Sequence, residues 1–256
     1  MSVNFSIEQL EFFLLVFVRI SGFIFTAPFF NHANIPRRVK ISLTFFVAVI
    51  VFMMLPVEKL QYSGVLGYGF LLIEELLLGI VMGFMTNICT MILAFAGQII
   101  DQEIGFSMVQ EMNPTANFTT TITGNLFTMT VMLIMIVTNL HLYILSAIVD
   151  SFKIVEVGEA SINILMYKVM IKFMVDYFII AFRIILPVFA SILLTNVVLA
   201  ILAKVAPQMN MFVIGMQLKV LIGIAVMVLI ATLLPAITEF IYEEMKVMIK
   251  YVIAMF

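Results

Sequence analysis

The sequence is poor in the side chains from which most catalytic and metal sites are built. It has a single cysteine, Cys89, which excludes an internal disulfide framework and a cysteine metal cluster. Its two histidines lie far apart, and no zinc-protease, serine-hydrolase, phosphate-loop or dinucleotide motif is present. We therefore predict a protein that is not an enzyme and that has no catalytic residue, no cofactor and no metal.

Charged residues are also scarce. They make up 11% of the 256 residues, and the formal net charge is −2. Soluble domains carry about 25% charged residues, and nucleic-acid-binding proteins present a basic surface. The composition argues against a nucleic-acid partner. Because no charged stretch is long enough for a separate soluble domain, we expect residues 1–256 to form one domain.

What the sequence does contain is long apolar runs. Apolar residues account for 64% of the chain, and the mean hydropathy is +1.23. A helix needs about 20 such residues to cross the hydrocarbon core of a bilayer. Six segments reach or approach this length: 10–28, 41–55, 70–96, 121–147, 173–203 and 218–238. The sequence therefore predicts an all-α, multi-span helical membrane protein in contact with lipid.

Four charged residues within or beside these segments are predicted to be buried: Arg19, Asp176, Arg183 and Lys219. An arginine at the bilayer centre costs about 2.5–3.5 kcal/mol on insertion scales, so Arg19 should face protein or water. Snorkelling to an interface is the weaker explanation for a residue halfway along a segment.

The fifth segment carries its charges near one helical face. Lys168, Lys172, Asp176 and Arg183 follow that face, which favours an ion-paired inner surface, although a solvated helix entry would explain the first half equally well. Pro187 predicts a kink in the same segment, because it leaves the carbonyl of Arg183 without its helical donor.

Close helix packing is indicated at one place in the third segment. Gly79 and Gly83, in GIVMG, have the spacing that lets two helix backbones approach each other. The motif occurs easily by chance in so apolar a chain, and we interpret it as a packing surface only.

Two connectors between segments are unusually apolar. Ala96–Pro114, AGQIIDQEIGFSMVQEMNP, mixes three acids with seven large apolar side chains and should pack against other parts of a protein. Lys204–Gln217, KVAPQMNMFVIGMQ, is predicted to form a second constriction or packing surface through Pro207, Met209, Met211, Phe212 and Met216. Flexible methionines can close around an opening, and hydrophobic constrictions gate by expelling water. Ordinary core packing explains any single methionine equally well.

Lysine and arginine counts in the connectors do not give the chain an orientation, because the two sides nearly tie. Membrane proteins built from lipid-surrounded helices usually show a clear bias. We therefore expect other subunits to cover much of the apolar surface.

Three blocks of sequence resemble a known family. They are Arg19–Lys40 (RISGFIFTAPFFNHANIPRRVK), Ala96–Pro114 and Lys204–Gly223 (KVAPQMNMFVIGMQLKVLIG). Through them the chain resembles, along essentially its whole length, the FliR proteins of the bacterial flagellar export gate and their type III secretion relatives. Two positions depart from the family pattern: Asn113 replaces the usual Asp before Pro114, and Met216-Gln217 replaces a Phe-Pro pair before Lys219.

The resemblance implies a subunit of the bacterial inner membrane, in the flagellar basal body. Its implied partners are FliP-like and FliQ-like membrane subunits, FlhB-like and FlhA-like export components, and unfolded cargo proteins. Its kinked and broken helices would pack into a hetero-oligomeric export gate. In that family the loop after the G-F motif plugs the closed pore, which here implies Phe106 through about Ile122, with the plug residues Phe106, Ser107, Met108, Val109, Met112, Asn113, Pro114 and Phe118.

Two other functions stay open at this point. A secondary transporter for a small solute would also have broken helices and buried ion pairs, but we find no inverted internal repeat. The equivalent subunit of a virulence injection apparatus would differ in its cargo, which the sequence does not specify.

Overall fold

The computed structural model describes residues 6–32, 35–57, 59–107, 121–161 and 166–256, and in these ranges the regular structure is entirely helical. The helices are α1 (Ile7–Thr26), α2 (Arg37–Met54), α3 (Gly64–Ile104), α4 (Ile122–Val137), α5 (Leu140–Ile154), α6 (Met166–Val205), α7 (Met211–Ala231) and α8 (Leu234–Ile253). The predicted all-α class is confirmed.

Four of these helices, α1, α3, α6 and α7, are long and apolar enough to cross a membrane, and the bent pair of α4 and α5 makes a fifth span if counted as one. Helices α3 and α6 have 41 and 40 residues. At a rise of about 1.5 Å per residue each is roughly twice the thickness of a bilayer's hydrocarbon core. The predicted multi-span character is confirmed.

The third predicted segment ends too early, because α3 continues past residue 96 to Ile104. The first part of the predicted connector is therefore helical. Its polar residues do not end the helix. Asp101, for example, is buried within it and accepts a hydrogen bond from the N–H of Thr123. The helix ends at Gly105, which has a φ of 100° and whose N–H donates to the carbonyl of Asp101 at 3.0 Å.

The predicted apolar segment 121–147 is not one continuous helix. The chain bends by 74° between α4 and α5, and Asn139 at the break has a φ of 59°. Asparagine tolerates this left-handed conformation better than most residues do. Because neither proline nor glycine marks the break, the apolar pattern alone did not reveal it.

The second and last predicted segments also differ from the helices observed. Residues 41–54 of the second segment belong to α2, which begins with Arg37 and contains three basic residues. This helix is not among the candidate spans. Residues 218–238 are divided between α7 and α8. Pro235 lies in the first turn of α8, where a missing N–H costs nothing.

The chain groups into two compact units. The first consists of Met1–Cys89, Asn139–Phe173 and Tyr242–Phe256. Its core is formed by apolar side chains of α1, α3 and α5: Leu15, Val16, Ile20, Phe23, Leu78, Met82, Met85, Ile144 and Ile148. Phe13 of α1 packs on α2, with its ring centroid 5.6 Å from that of Phe52.

The second unit consists of Thr90–Thr138 and Met174–Ile241. Its core comes from the end of α3, from α4 and from α6: Ile92, Leu93, Ala96, Ile100, Ile104, Phe127, Val131, Met135, Ile184, Val188 and Ile192. Helix α6 runs through Pro187 without interruption. It returns as α7, so that Leu199 of α6 faces Gly215 of α7.

Candidate functional site

The predicted plug is described only at its two ends. Phe106 and Ser107 follow the end of α3 and are half-buried, and Thr121 precedes Ile122, the first residue of α4. The other predicted plug residues, Met108, Val109, Met112, Asn113, Pro114 and Phe118, lie outside the described residues. The structure does define the end of α3, from which this connector starts, and the beginning of α4, at which it ends.

A buried carboxylate joins the two ends of the connector. Asp101 of α3 is 1% exposed, and both of its oxygens accept the backbone N–H of Thr123 at 3.2 Å. The hydroxyl of Thr123 donates to the same carboxylate. Because Thr123 lies in the first turn of α4, its N–H has no helical acceptor, and a negative charge there is favoured by the helix dipole. We call this contact the Asp101–Thr123 clamp.

The backbones of α3 and α4 touch one turn before the clamp. A β-carbon built on Gly97 would lie 2.1 Å from the Cα of Gly124. No side chain fits between the helices here, which is how small residues let membrane helices approach. The clamp and this crossing together hold the end of α3, where the connector begins, against the start of α4, where it ends.

The second predicted connector contributes to a pocket beside the end of α3. The pocket has a volume of about 230 Å³. Its lining includes Glu103 and Gly105 of the first connector with Phe212, Met216 and Lys219 of α7. The two connectors singled out in the sequence therefore meet at one place in the second unit.

Two further predicted residues of the second connector, Pro207 and Met209, are exposed in the turn between α6 and α7. Met211 is the first residue of α7, and its side chain is not described.

The four predicted buried charges have different surroundings. Arg19 is fully buried, Asp176 and Lys219 are half-buried, and Arg183 is exposed. Neither Asp176 nor Arg183 forms an ion pair within the described residues. The ion-paired face predicted for this stretch is therefore not observed, and burial of these two side chains by neighbouring subunits stays a prediction.

Arg19 is the centre of a buried polar network in the first unit. Its guanidinium makes a two-pronged ion pair with Glu75 of α3, in which Nε donates to Oε2 and Nη2 donates to Oε1 at 2.9 Å. It also donates to the carbonyls that end α5: Val155 at 2.9 Å, Glu156 at 3.3 Å and Ser151 at 3.5 Å. A cation is favoured at a helix C-terminus.

The remaining atoms of this network are also satisfied. Glu75 Oε1 accepts the N–H of Gly158 at 2.8 Å, and the Phe152 ring lies 4.2 Å from the Arg19 guanidinium carbon. The network thus connects α1, α3 and the end of α5. It is a structural junction, because no group in it is free to react or to bind a ligand.

Neither Glu75 nor Asp101 was singled out by the sequence. A charge such as Arg19 inside an apolar segment requires a partner, which points to Glu74 or Glu75 without choosing between them. For Asp101 the available signal was the helix start at Thr121–Thr123, whose free N–H groups favour a nearby acid. Among the described residues, no group of three His, Cys, Asp or Glu could hold a metal ion.

We expect Asp101→Ala to loosen the start of α4. The N–H and hydroxyl of Thr123 would lose their buried acceptor, and a hydrogen bond to a charged group is worth about 1.5–3 kcal/mol. Amide hydrogen exchange of residues 122–126, measured in detergent, should therefore accelerate roughly tenfold or more. Glu103→Ala is the control, since Glu103 is two residues further along α3 and the described hydrogen bonds of Thr123 go to Asp101 and Met227. Equal exchange rates in both variants would show that the clamp does not hold this helix end.

The described residues define a class: an α-helical integral membrane protein in which buried charges fasten helix ends to one another. The comparisons with known proteins are consistent with that class. The family model for bacterial export proteins, family 1, matches residues 10–245.

Similar proteins carry the name flagellar biosynthetic protein FliR. The one from Bacillus subtilis (strain 168) is 32% identical over 232 residues, which is 88% of each chain. The one from Aquifex aeolicus (strain VF5) is 28% identical over 222 residues, 87% of this chain and 86% of the relative. That from Escherichia coli (strain K12) is 25% identical over 238 residues, 93% and 91% of the two chains.

The chain belongs to the FliR family of bacterial export proteins. It is a membrane-embedded component of the flagellar export apparatus and thus part of an export complex.

Proposed function

We propose that this chain, as one domain of residues 1–256, is a non-enzymatic pore subunit of the flagellar type III protein export gate. It would form, with FliP-like and FliQ-like subunits, the channel for unfolded flagellar proteins in the bacterial inner membrane, at the flagellar basal body. FlhB-like and FlhA-like components would act with it. Residues 106–122 would contribute a plug. The flagellar names of the relatives favour flagellar cargo over that of an injection apparatus.

The observation that carries this proposal is the Asp101–Thr123 clamp. A plug must withstand being pushed from one side and must return to the same place after opening. A loop whose two ends are fastened to each other by a buried charge-assisted contact has a fixed base. The two described ends of this connector, Asp101 in α3 and Thr123 in α4, form such a base. Residues of the second, methionine-rich connector line the pocket beside the end of α3.

Exposed apolar surface supports the assignment to a multi-subunit pore. Of the most apolar 18 residues of α7 only 17% are buried, and of those in α6 only 28%, against 56% in α3. Gln98 and Asn125 also line an open groove of about 390 Å³ on these apolar helices. In membranes such side chains commonly hydrogen-bond to neighbouring helices. Partner subunits would cover this groove and much of the apolar faces.

Deleting Val109–Ala116 should raise ion leakage through the assembled complex. The deletion removes Val109, Met112 and Pro114 from the proposed seal while leaving the clamp in place. A hydrophobic constriction blocks ions by excluding water, so its loss should change a closed pore into a conducting one. Single-channel recording of the complex in planar bilayers measures the effect.

The control keeps the loop length and replaces residues 109–116 by alternating glycine and serine. If the apolar side chains form the seal, this variant should leak as the deletion does. If both variants conduct no more than the wild type, the plug assignment fails.

A further inference from the structure

A groove on the second unit is lined by apolar side chains and one basic residue. Its volume is about 380 Å³, within the range of small-ligand pockets. Ile180, Ile184 and Pro187 of α6 line one side together with Arg183, and residues between Ile230 and Phe240 line the other. Such a lining suits a ligand with a long apolar part and one negative charge.

Arg183 has no partner of its own in the described part of the chain. Its side chain is exposed and makes no ion pair or hydrogen bond there. A guanidinium on an apolar membrane helix is costly unless it meets an anion or reaches the interface.

The charge pattern places Arg183 at the level of lipid headgroups. The 20 residues 184–203 are uncharged and lie between Arg183 and Lys204. That run spans about 30 Å as a helix, which is the thickness of the hydrocarbon core. The antiparallel partner stretch, residues 220–238, is likewise uncharged and lies between Lys219 and Glu239. On this pattern Arg183 would lie at one interface, with Ile184, Pro187 and Ile230 of the groove on the hydrocarbon side.

We propose that this groove binds one anionic phospholipid. Its phosphate pairs with Arg183, and an acyl chain lies between α6 and the α7–α8 junction along Pro187 and Ile230. Phosphate is the anion available at that depth, and the walls beyond Arg183 offer only apolar contact. The proposal is independent of the plug, because none of these residues belongs to either connector.

Native mass spectrometry of the complex, purified in mild detergent, tests the site. The probes are phosphatidylglycerol and phosphatidylcholine with identical acyl chains, added in competition. The wild type should prefer phosphatidylglycerol about fivefold at this site, as expected for one basic side chain at a lipid surface. Arg183→Gln should abolish the preference and Arg183→Lys should keep it.

Two further variants distinguish binding in this groove from non-specific attraction of anionic lipid to basic side chains. Lys168→Gln removes an exposed charge from the same helix and should leave the preference unchanged. Ala236→Phe narrows the groove, which Ala236 lines, and should reduce retention of both lipids. Loss of the preference in Lys168→Gln, or its persistence in Arg183→Gln, would overturn the proposal. So would a photo-crosslinker at position 236 that captures another export subunit and no lipid, since a protein would then fill the groove.

Discussion

Replacing Arg19 by methionine is expected to destabilise the chain by about 3–5 kcal/mol, the usual cost of breaking a buried ion pair by removing one partner. Glu75 would remain fully buried with its charge unpaired. The carbonyls of Val155 and Glu156, which end α5, would lose their donors in the same step. A shift of the unfolding temperature on the order of 10 °C follows from that cost for a chain of this size.

The single cysteine provides the measurement. Cys89 is buried in the first unit, so a thiol-reactive maleimide dye should label it only as the protein opens on heating. The double variant Arg19→Met/Glu75→Met removes both charges and should recover part of the lost stability. Recovery should be incomplete, because the α5 carbonyls and the N–H of Gly158 still lack partners.

Lys153→Met is the matched control for Arg19→Met. Lys153 pairs with Asp150 at 2.7 Å, but the two side chains are 66% and 54% exposed. Exposed pairs contribute about 0–1 kcal/mol, so the labelling temperature should scarcely change. If Arg19→Met behaved like this control, the buried network would not be the junction described above.

The helical class could be predicted because long uncharged runs have few alternatives in a membrane. Helix ends and breaks were less predictable. In the extension of α3 to Ile104, the Asp101 carboxylate accepts hydrogen bonds from Thr123 of α4. The residues next to Asp101 in the sequence do not reveal these donors. The break at Asn139 depends on a left-handed conformation that asparagine permits but does not require.

The partners of buried charges were also only partly predictable from the sequence. Arg19 could be predicted to need protein around it, because its position in the first segment rules out cheap solvation. The choice of Glu75 over Glu74 depends on how α1 and α3 align, and that alignment is a property of the packed structure. For the plug, the sequence supplied the apolar loop and the structure supplied its clamped base, while the role of Met108–Phe118 stays a prediction.

The crossing of α1 and α3 has little room for any side chain. A β-carbon on Gly79 would lie 2.1 Å from the carbonyl oxygen of Arg19, and one on Gly22 would lie 2.7 Å from that of Leu76. This confirms the packing surface predicted from GIVMG. Gly79 follows Glu75 by one turn and Gly22 follows Arg19 by one turn, so the close approach of the backbones is what brings the two charges together.

Gly79→Leu is therefore expected to separate α1 from α3 and to cost about 3 kcal/mol, the upper part of the usual range for overpacking, because the obstructing atom is a backbone oxygen that cannot rotate away. Maleimide should then label Cys89 in isolated membranes without heating, and swarming of cells that depend on this variant should fail. Gly69→Leu is the matched control, since a β-carbon at Gly69, on the same helix, meets no atom within 4 Å. Because both variants make the same change on one helix, equal labelling of Cys89 in the two would show that the backbone contact does not position Arg19 and Glu75.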